Sequence, residues 1–311
     1  MKHCDLFAGT GAFSLALQQT HVVETVFSND IDPNAKRLYD TNFREKMTLR
    51  DINDLTMKDI PFHDILTGGF PCQPFSVAGR QEGFDDVRSN VFWKILEIMS
   101  HHRPTVVILE NVKRILTHDE GKTLARIIDE IKKRNYFVKY SLLNTSQLTG
   151  IPQNRERVYF VCFRDENHFN KFSFDFPIMT KKTIDLFLES SVDKKYYYTS
   201  ESKSWSLLNG HVTNPSTTYQ LRRVYLRENK SNECPTLTAN MGTGGNNVPI
   251  IVDKKGIRKL TPRECFNFQG FPKEYELTKN LSDTALYKLC GNAITVPLAK
   301  LVIEKVVSLI K

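Results

Sequence analysis

The 311-residue chain has no apolar run approaching the ~20 residues that a membrane-spanning helix requires. Asp5 falls where the apolar stretch of a signal peptide would run, so a cytoplasmic location is expected. Cysteine is sparse. The six residues (Cys4, Cys72, Cys162, Cys234, Cys265 and Cys290) form no Cys-x-x-Cys pair and have no histidine partner at zinc spacing. A disulfide framework and a structural metal are thereby disfavoured, no metal site is expected, and reduced thiols are the default. No internal repeat and no low-complexity linker is present, which excludes solenoids. The phosphate-cradling pattern G-x-G-x-x-G is also incomplete: Gly9 and Gly11 are present, but Ser14 stands where the third glycine would be.

What is present begins with charge. The chain carries a net +8, with hydrophobic residues at 40% and charged residues at 25%, ordinary for a soluble enzyme with a bias toward a polyanionic partner. The bias is local: between Thr180 and Leu260, 13 Lys and Arg face 7 Asp and Glu, while the rest of the chain is nearly neutral.

The first half alternates short apolar runs with amphipathic stretches. Strands are predicted at His3 to Phe7, Val22 to Ser28, Asp64 to Thr67, Thr105 to Glu110, Phe137 to Leu143 and Val158 to Phe163. Helices are predicted between them, at about Ala12 to Gln19, Pro33 to Phe43, Asn90 to His101 and Gly121 to Arg134. Alternation of this kind predicts an α/β domain with a mostly parallel sheet covered on both faces, whose ligands bind at the carboxyl ends of the strands. After about Pro177 the rhythm breaks into a Ser-, Thr-, Asn- and Tyr-rich stretch, which reads as a separate, loop-rich, mainly β module. Helical signal returns at Thr261-Pro262-Arg263-Glu264, a capped start with proline at the first helical position, and a last amphipathic helix is expected from about Pro297 to Ile310.

Three segments carry chemistry. Asp5-Leu6-Phe7-Ala8-Gly9-Thr10-Gly11 ends the first strand, and Asp30 follows the second strand about 20 residues on, where a ribose hydroxyl is commonly held. Locally this is a nicotinamide site, an adenosylmethionine site or a tight turn; the missing glycine favours a cofactor without pyrophosphate. Next, Gly68-Gly69-Phe70-Pro71-Cys72-Gln73-Pro74 places a thiol on a loop at the end of a strand, since Pro71 and Pro74 exclude regular structure around it. A lone cysteine is more often an inert core residue, but this one stands where chemistry is expected. The following polar, glycine-containing stretch, with Ser76, Arg80 and Arg88, reads as a loop able to close over a phosphate backbone, or as plain solvated surface. Finally, Glu110 at the end of a buried apolar strand needs a partner. Arg155 and Arg157, at alternate positions of an extended segment, are expected on one face, available for phosphate, for a base carbonyl oxygen, for Glu110 or for ordinary surface pairing.

Taken in order, these segments resemble the cytosine-C5 DNA methyltransferase family of the bacterial restriction-modification type. Asp5 to Gly11 is similar to the family's cofactor loop, Pro71-Cys72-Gln73 to its nucleophile signature, and Glu110-Asn111-Val112 and Gln153-x-Arg155-x-Arg157 to two further signatures. Arg258 to Cys265 with Gln269-Gly270-Phe271-Pro272, and Gly291-Asn292-Ala293 with Val296-Pro297, resemble the closing motifs, so the likeness spans nearly the whole chain. Ala12 stands where the family commonly has glycine, a mild departure.

The resemblance implies a Rossmann-like, adenosylmethionine-dependent catalytic domain over 1–185, completed by about 263–311, and a mainly β target-recognition domain over 186–262. It implies Cys72 as nucleophile at carbon 6 of cytosine, Glu110 and Arg157 at the base, and Arg155 orienting the loop or base. S-adenosylmethionine is the implied cofactor, held by Phe7, Gly9, Gly11, Asp30, Ile31, Asp51, Ile52, Pro71 and Asn292. Double-stranded DNA is the implied partner, touched by Gln73, Ser76, Arg80 and Arg88 and read by Arg222, Arg223, Arg227, Thr236 and Asn240. A monomer acting beside a cognate restriction endonuclease is expected. The rival readings are a tRNA-directed relative, disfavoured by the sizeable basic recognition region; a non-catalytic DNA binder, against which the joint presence of Cys72, Glu110, Arg155 and Arg157 weighs; and a nicotinamide oxidoreductase, disfavoured by the incomplete glycine fingerprint and Cys72.

Overall fold

The structure, a computed structural model, describes residues 1–70, 91–222, 225–243 and 247–311. Pro71, Cys72, Gln73, Ser76, Arg80, Arg88 and Arg223 lie outside the described residues. The chain divides into two compact units, one of residues 1–143, 156–176 and 296–311, the other of residues 144–155 and 177–295.

The first unit is built on a seven-stranded sheet. Its strands are β1 (Lys2–Leu6), β2 (Glu24–Asp30), β3 (Thr48–Leu49), β4 (Ile65–Gly69), β5 (Val106–Val112), β6 (Phe137–Asn144) and, after the short β7 (Gln153–Asn154) of the second unit, β8 (Glu156–Phe163), in the spatial order β3-β2-β1-β4-β5-β8-β6. β1 pairs in parallel with both β2 and β4, and β4 with β5, whereas β8 runs antiparallel to β5 from Val106↔Phe163 to Val112↔Arg157. Burial explains the order. β4 and β5 are buried almost end to end, as centre strands covered on both faces must be, while β6 is mostly half-buried at an edge. The helices are α1 (Ala12–Gln18), α2 (Pro33–Asn42), α3 (Val91–His102) and α4 (Lys122–Lys132), then, beyond α5 (Thr145–Thr149) of the second unit, α6 (Glu166–Lys171). α3 shows why such stretches fold as helices against the sheet: Phe92, Ile95, Leu96 and Met99 fall three or four residues apart and are fully buried. The predicted elements of this half are found within two residues of their expected ends.

The second unit holds α7 (Trp205–Leu208) and a four-stranded sheet of β9 (Tyr219–Leu221), β10 (Leu226–Glu228), β12 (Ile250–Asp253) and β13 (Gly256–Lys259), in the order β10-β9-β12-β13. A two-residue strand, β11 (Cys234–Pro235), pairs in parallel with β7. Leu208, Val212, Tyr219, Leu221, Ile250 and Ile257 form its small apolar core. α8 (Pro262–Phe268) starts on the capping box read from sequence: Thr261 accepts from the Glu264 amide, and Glu264 accepts from the Thr261 amide. α9 (Asp283–Asn292) follows, and α10 (Val296–Ile310) returns to the first unit to pack on α1.

One boundary differs from the sequence reading, which assigned everything after residue 262 to the catalytic domain. Residues 262–295 belong with the second unit because polar ties hold them there. Arg258 of β13 makes a bidentate pair with Glu264 of α8, both bonds 2.7 Å, and the Tyr287 hydroxyl of α9 donates to the Leu260 carbonyl. The second unit also begins at 177 rather than 186 and takes in residues 144–155.

Candidate active site and cofactor cradle

The loop after β1 is shaped by three left-handed residues, Phe7 (φ 53°), Gly9 (φ 53°) and Gly11 (φ 74°). Glycine is required at position 11, where a methyl group would run into the Phe43 ring and lie 2.9 Å from Tyr39. Below the loop a buried network fixes it. Asp5 accepts from the Ser14 hydroxyl (2.7 Å) and amide (3.3 Å) of α1 and from the Thr67 hydroxyl (2.7 Å) of β4. Since Thr67 donates to Asp5, it accepts from His3 Nε2 at 2.7 Å, which makes His3 the Nε2–H tautomer. Burial pushes the Asp5 carboxyl up to about 6, against the pull of these donors.

Asp30, at the end of β2, accepts from the Gly9 amide on one oxygen and from the Asp32 amide on the other, both at 2.9 Å. Burial raises its carboxyl above the usual range. Each carboxylate oxygen can accept twice, so capacity remains for a ribose hydroxyl. Beside it Ile31 stands 65% exposed, an apolar side chain offered to a flat ring, while Ile52 is buried and Asp51 accepts from the Asn53 amide at 2.9 Å. Glycine cradle, half-buried acid and exposed apolar shelf fit an adenosyl group without pyrophosphate. Asn292, exposed at the end of α9, belongs to the second unit.

Glu110 lies within β5 rather than at its end, beside Gly69 of β4. It is nearly buried, and its Oε1 is 3.0 Å from Nε of Arg157, which comes from β8 across the antiparallel pairing. Asn111 donates from Nδ2 to the Phe70 carbonyl at 3.1 Å, tying the strand with Glu110 to the last described residue before Pro71-Cys72.

Arg155 does not share the face of Arg157, contrary to the expected alternation. The chain turns at Gln153–Arg155, where the Arg155 amide donates to the Gln153 carbonyl at 2.9 Å, and β8 starts only at Glu156. Arg155 is instead buried in the second unit, donating from Nη1 to the Leu237 carbonyl (2.8 Å) and from Nη2 to those of Ala293 (2.6 Å) and Gly291 (3.3 Å). Sequence reasoning assigned no role to its neighbours in this lattice. Gln153 donates to the Phe268 carbonyl and accepts from the Leu237 amide; Gln269 donates to the Cys290 carbonyl and accepts from Thr295. The signal was the glutamines themselves, buried side chains with both a donor and an acceptor to satisfy.

Of the residues expected to read DNA, Thr236 and Asn240 flank Leu237, whose backbone the lattice holds through Gln153 and Arg155. Thr236, half-buried, donates to the Asn154 carbonyl at 2.6 Å, and Asn240 is exposed with Oδ1 accepting from Thr238. Gly291 of α9 presses on the backbone of Thr238 and Ala239, where any side chain would collide. Arg222 and Arg227 are exposed on β10 and the turn before it. Among the described residues no three His, Cys, Asp or Glu side chains are grouped to hold a metal ion, and no helix is long and apolar enough to cross a membrane.

A mostly parallel seven-stranded α/β sheet with a glycine-shaped loop after β1 is an architecture whose ligands bind at the carboxyl ends of the strands. The profile of the C-5 cytosine-specific DNA methylases matches residues 1–308. The type II methyltransferase M.Bsp6I of Bacillus sp. (strain RFL6) is 45% identical over 310 residues, covering 98% of each chain. M.HhaI of Haemophilus parahaemolyticus is 36% identical, over 95% of this chain and 91% of that one. Among solved structures, the Entamoeba histolytica methyltransferase EhMeth superposes with a TM-score of 0.77 at 16% identity, covering 100% of this chain and 99% of that chain. The S. pombe Dnmt2 methyltransferase does so with 0.73 at 23%, covering 98% of each; at these identities the likeness speaks for the fold alone. The chain belongs to the C-5 cytosine-specific DNA methylase family and is a site-specific DNA (cytosine-5) methyltransferase of restriction-modification type.

Proposed function

We propose that the chain methylates carbon 5 of a cytosine flipped out of duplex DNA, with Cys72 as nucleophile and Glu110 and Arg157 at the base. The observation that carries this is the Glu110–Arg157 pair, with Glu110 on β5 beside β4, the strand whose end leads into Pro71-Cys72, and Arg157 on β8.

Carbon 5 of cytosine is a poor nucleophile. Addition of the Cys72 thiolate at carbon 6 sends the electron pair of the 5,6 double bond toward carbon 5, which can then take an electrophilic methyl group. Glu110 hydrogen-bonds N3 as charge develops on the ring, and Arg157 fixes the carboxyl through Oε1. Loss of the carbon-5 proton and departure of the thiolate restore the double bond. S-adenosylmethionine supplies the methyl group when bound. Phe7, Gly9, Gly11, Asp30, Ile31, Asp51, Ile52, Pro71 and Asn292 would hold it, Asp30 at the ribose and Ile31 against the adenine. The reacting atom is hidden inside a duplex, so the base leaves the stack before it reacts. Gln73, Ser76, Arg80 and Arg88 contact the DNA around it. Arg155 is a positioning residue, acting through the Leu237 and Ala293 carbonyls. The chain acts as a monomer in the cytoplasm, beside a cognate restriction endonuclease.

The test is transfer of labelled methyl from S-adenosylmethionine to unmethylated genomic DNA and, in parallel, to bulk tRNA, with bisulfite sequencing of the DNA. Label in DNA at one short motif is expected, and label only in tRNA would overturn the substrate. Cys72→Ala should abolish transfer yet bind S-adenosylmethionine as the parent does; an active variant would remove Cys72 from the reaction.

A further inference from the structure

The β9–β10 hairpin is two-faced. Leu221 pairs with Leu226, Gln220 with Arg227, and the Arg222 amide donates to the Tyr225 carbonyl at 2.9 Å to close it. Paired residues of an antiparallel ribbon share a face, and successive residues alternate. Tyr219 and Leu221 are therefore buried in the unit's apolar core, with Leu226 packed against it. The other face carries Gln220, Arg222, Tyr225 and Arg227, of which Tyr225 is 54% exposed and both arginines are exposed. Neither arginine has an acidic partner among the described residues.

Hydrogen-bond accounting narrows what this face can meet. Arg222 donates from Nη2 to Gln220 Oε1 at 3.3 Å, which orients the guanidinium and takes one of that oxygen's two lone pairs. Arg222 and Arg227, the cations of this face among the described residues, present donors only. In the major groove, which admits a two-stranded ribbon, guanine is the base whose edge offers two acceptors, N7 and O6, and no donor. Adenine and cytosine each present an amino donor that would face these donors unsatisfied.

We propose that the outward face of this hairpin reads the target sequence in the major groove, Arg222 and Arg227 each taking a guanine edge and Gln220 holding Arg222 in register. This deepens the methyltransferase reading and rests on it. The recognised motif therefore contains guanine beyond the one paired with the target cytosine.

The experiment uses the full chain and a synthetic duplex carrying the motif found by bisulfite sequencing, with each guanine replaced in turn by 7-deazaguanine, which lacks the N7 acceptor. The wild-type chain should lose about 10- to 100-fold in kcat/KM at one or two guanines and little elsewhere. Arg227→Lys keeps the charge but not the planar fork, so it should accept a substituted base pair at one position while the salt dependence of binding stays as in the parent. Lys230→Ala, which removes an exposed charge two residues beyond β10, should instead weaken all duplexes alike. Indifference to 7-deazaguanine throughout the motif, unrelaxed specificity in both Arg227→Lys and Arg222→Lys, or a motif with no further guanine would each overturn the proposal. In all three cases the wild-type chain still methylates DNA. Failure of that transfer itself would instead remove the reading beneath it.

Discussion

The two units position their functional groups by opposite means. In the first, long strands in continuous register carry the groups: Glu110 and Arg157 meet because β5 and β8 pair over seven residues, and Asp5 and Thr67 meet because β1 and β4 are neighbours. In the second, strands of two to four residues leave most of the backbone outside any ladder, and side chains satisfy it instead. Gln153, Arg155 and Gln269 spend their hydrogen bonds on the carbonyls and amides of other segments. A regular sheet gives rigidity to a fixed reaction. A lattice of side chains on backbone groups holds a loop in place without prescribing its sequence.

The comparison is broken most forcefully at Arg258. Its side chain and that of Glu264 are 1% and 0% exposed, and Arg258 also reaches Asp253 at 2.6 Å. Arg258→Ala leaves Glu264 as a buried charge without its cation and should cost about 3–5 kcal/mol. If the second unit depends on such ties, urea unfolding followed by the tryptophan of that unit, Trp205, should shift far more than S-adenosylmethionine binding does. Equal loss of both would show that the units stand or fall together.

The corresponding break in the first unit is chemical. Glu110→Ala removes the group at N3 and leaves Arg157 unanswered. It should lower kcat by roughly 10²–10³-fold, the size of losing one transition-state hydrogen bond, with little change in KM for DNA. Glu110→Gln keeps an acceptor for Arg157 and a donor for the base, so it should fall less. Equal activity of the alanine and glutamine variants would mean that Glu110 acts by filling space.

What could be read in advance follows the same division. The first unit was legible because apolar runs such as Val106 to Leu109 have one physical destination, the middle of a sheet, and because a glycine at position 11 admits few explanations. The capping box at Thr261–Glu264 was legible for the same local reason. Arg155 was misplaced because alternation was assumed through Gln153–Arg157, and the turn that breaks it depends on Gln153 finding partners at Leu237 and Phe268, more than 80 residues away. The domain boundary after residue 262 failed likewise, since the Arg258–Glu264 and Tyr287–Leu260 bonds are tertiary facts without periodicity. Hydrogen bonds between remote polar residues leave no pattern in a sequence; strands and caps do.

A smaller effect sharpens the comparison from the side of pH. His63, buried in the first unit, donates from Nδ1 to the Pro61 carbonyl at 2.9 Å and stands 5.1 Å, ring to ring, from His102, with Asp64 next in the chain. Burial lowers its pKa to about 4 and that of His3 to about 3. Both rings are therefore neutral in the folded chain, while the unfolded chain takes up their protons below about 6.5, so this contribution is lost as pH falls from 6.5 toward 4. Asp5 runs the other way. Its folded pKa of about 6 lies above the unfolded value, so the folded chain gains stability as pH falls through 6. Asp30, raised by burial, acts in the same sense as Asp5, and His102, lowered by burial, in the same sense as His3 and His63. His63→Gln keeps a donor for Pro61 and removes one titrating ring. Its stability in urea between pH 4.5 and 6.5 should fall less steeply by about one proton, near 1.4 kcal/mol per pH unit at most. A slope in His63→Gln parallel to that of the wild-type chain would show that the ring is already solvated in the folded chain.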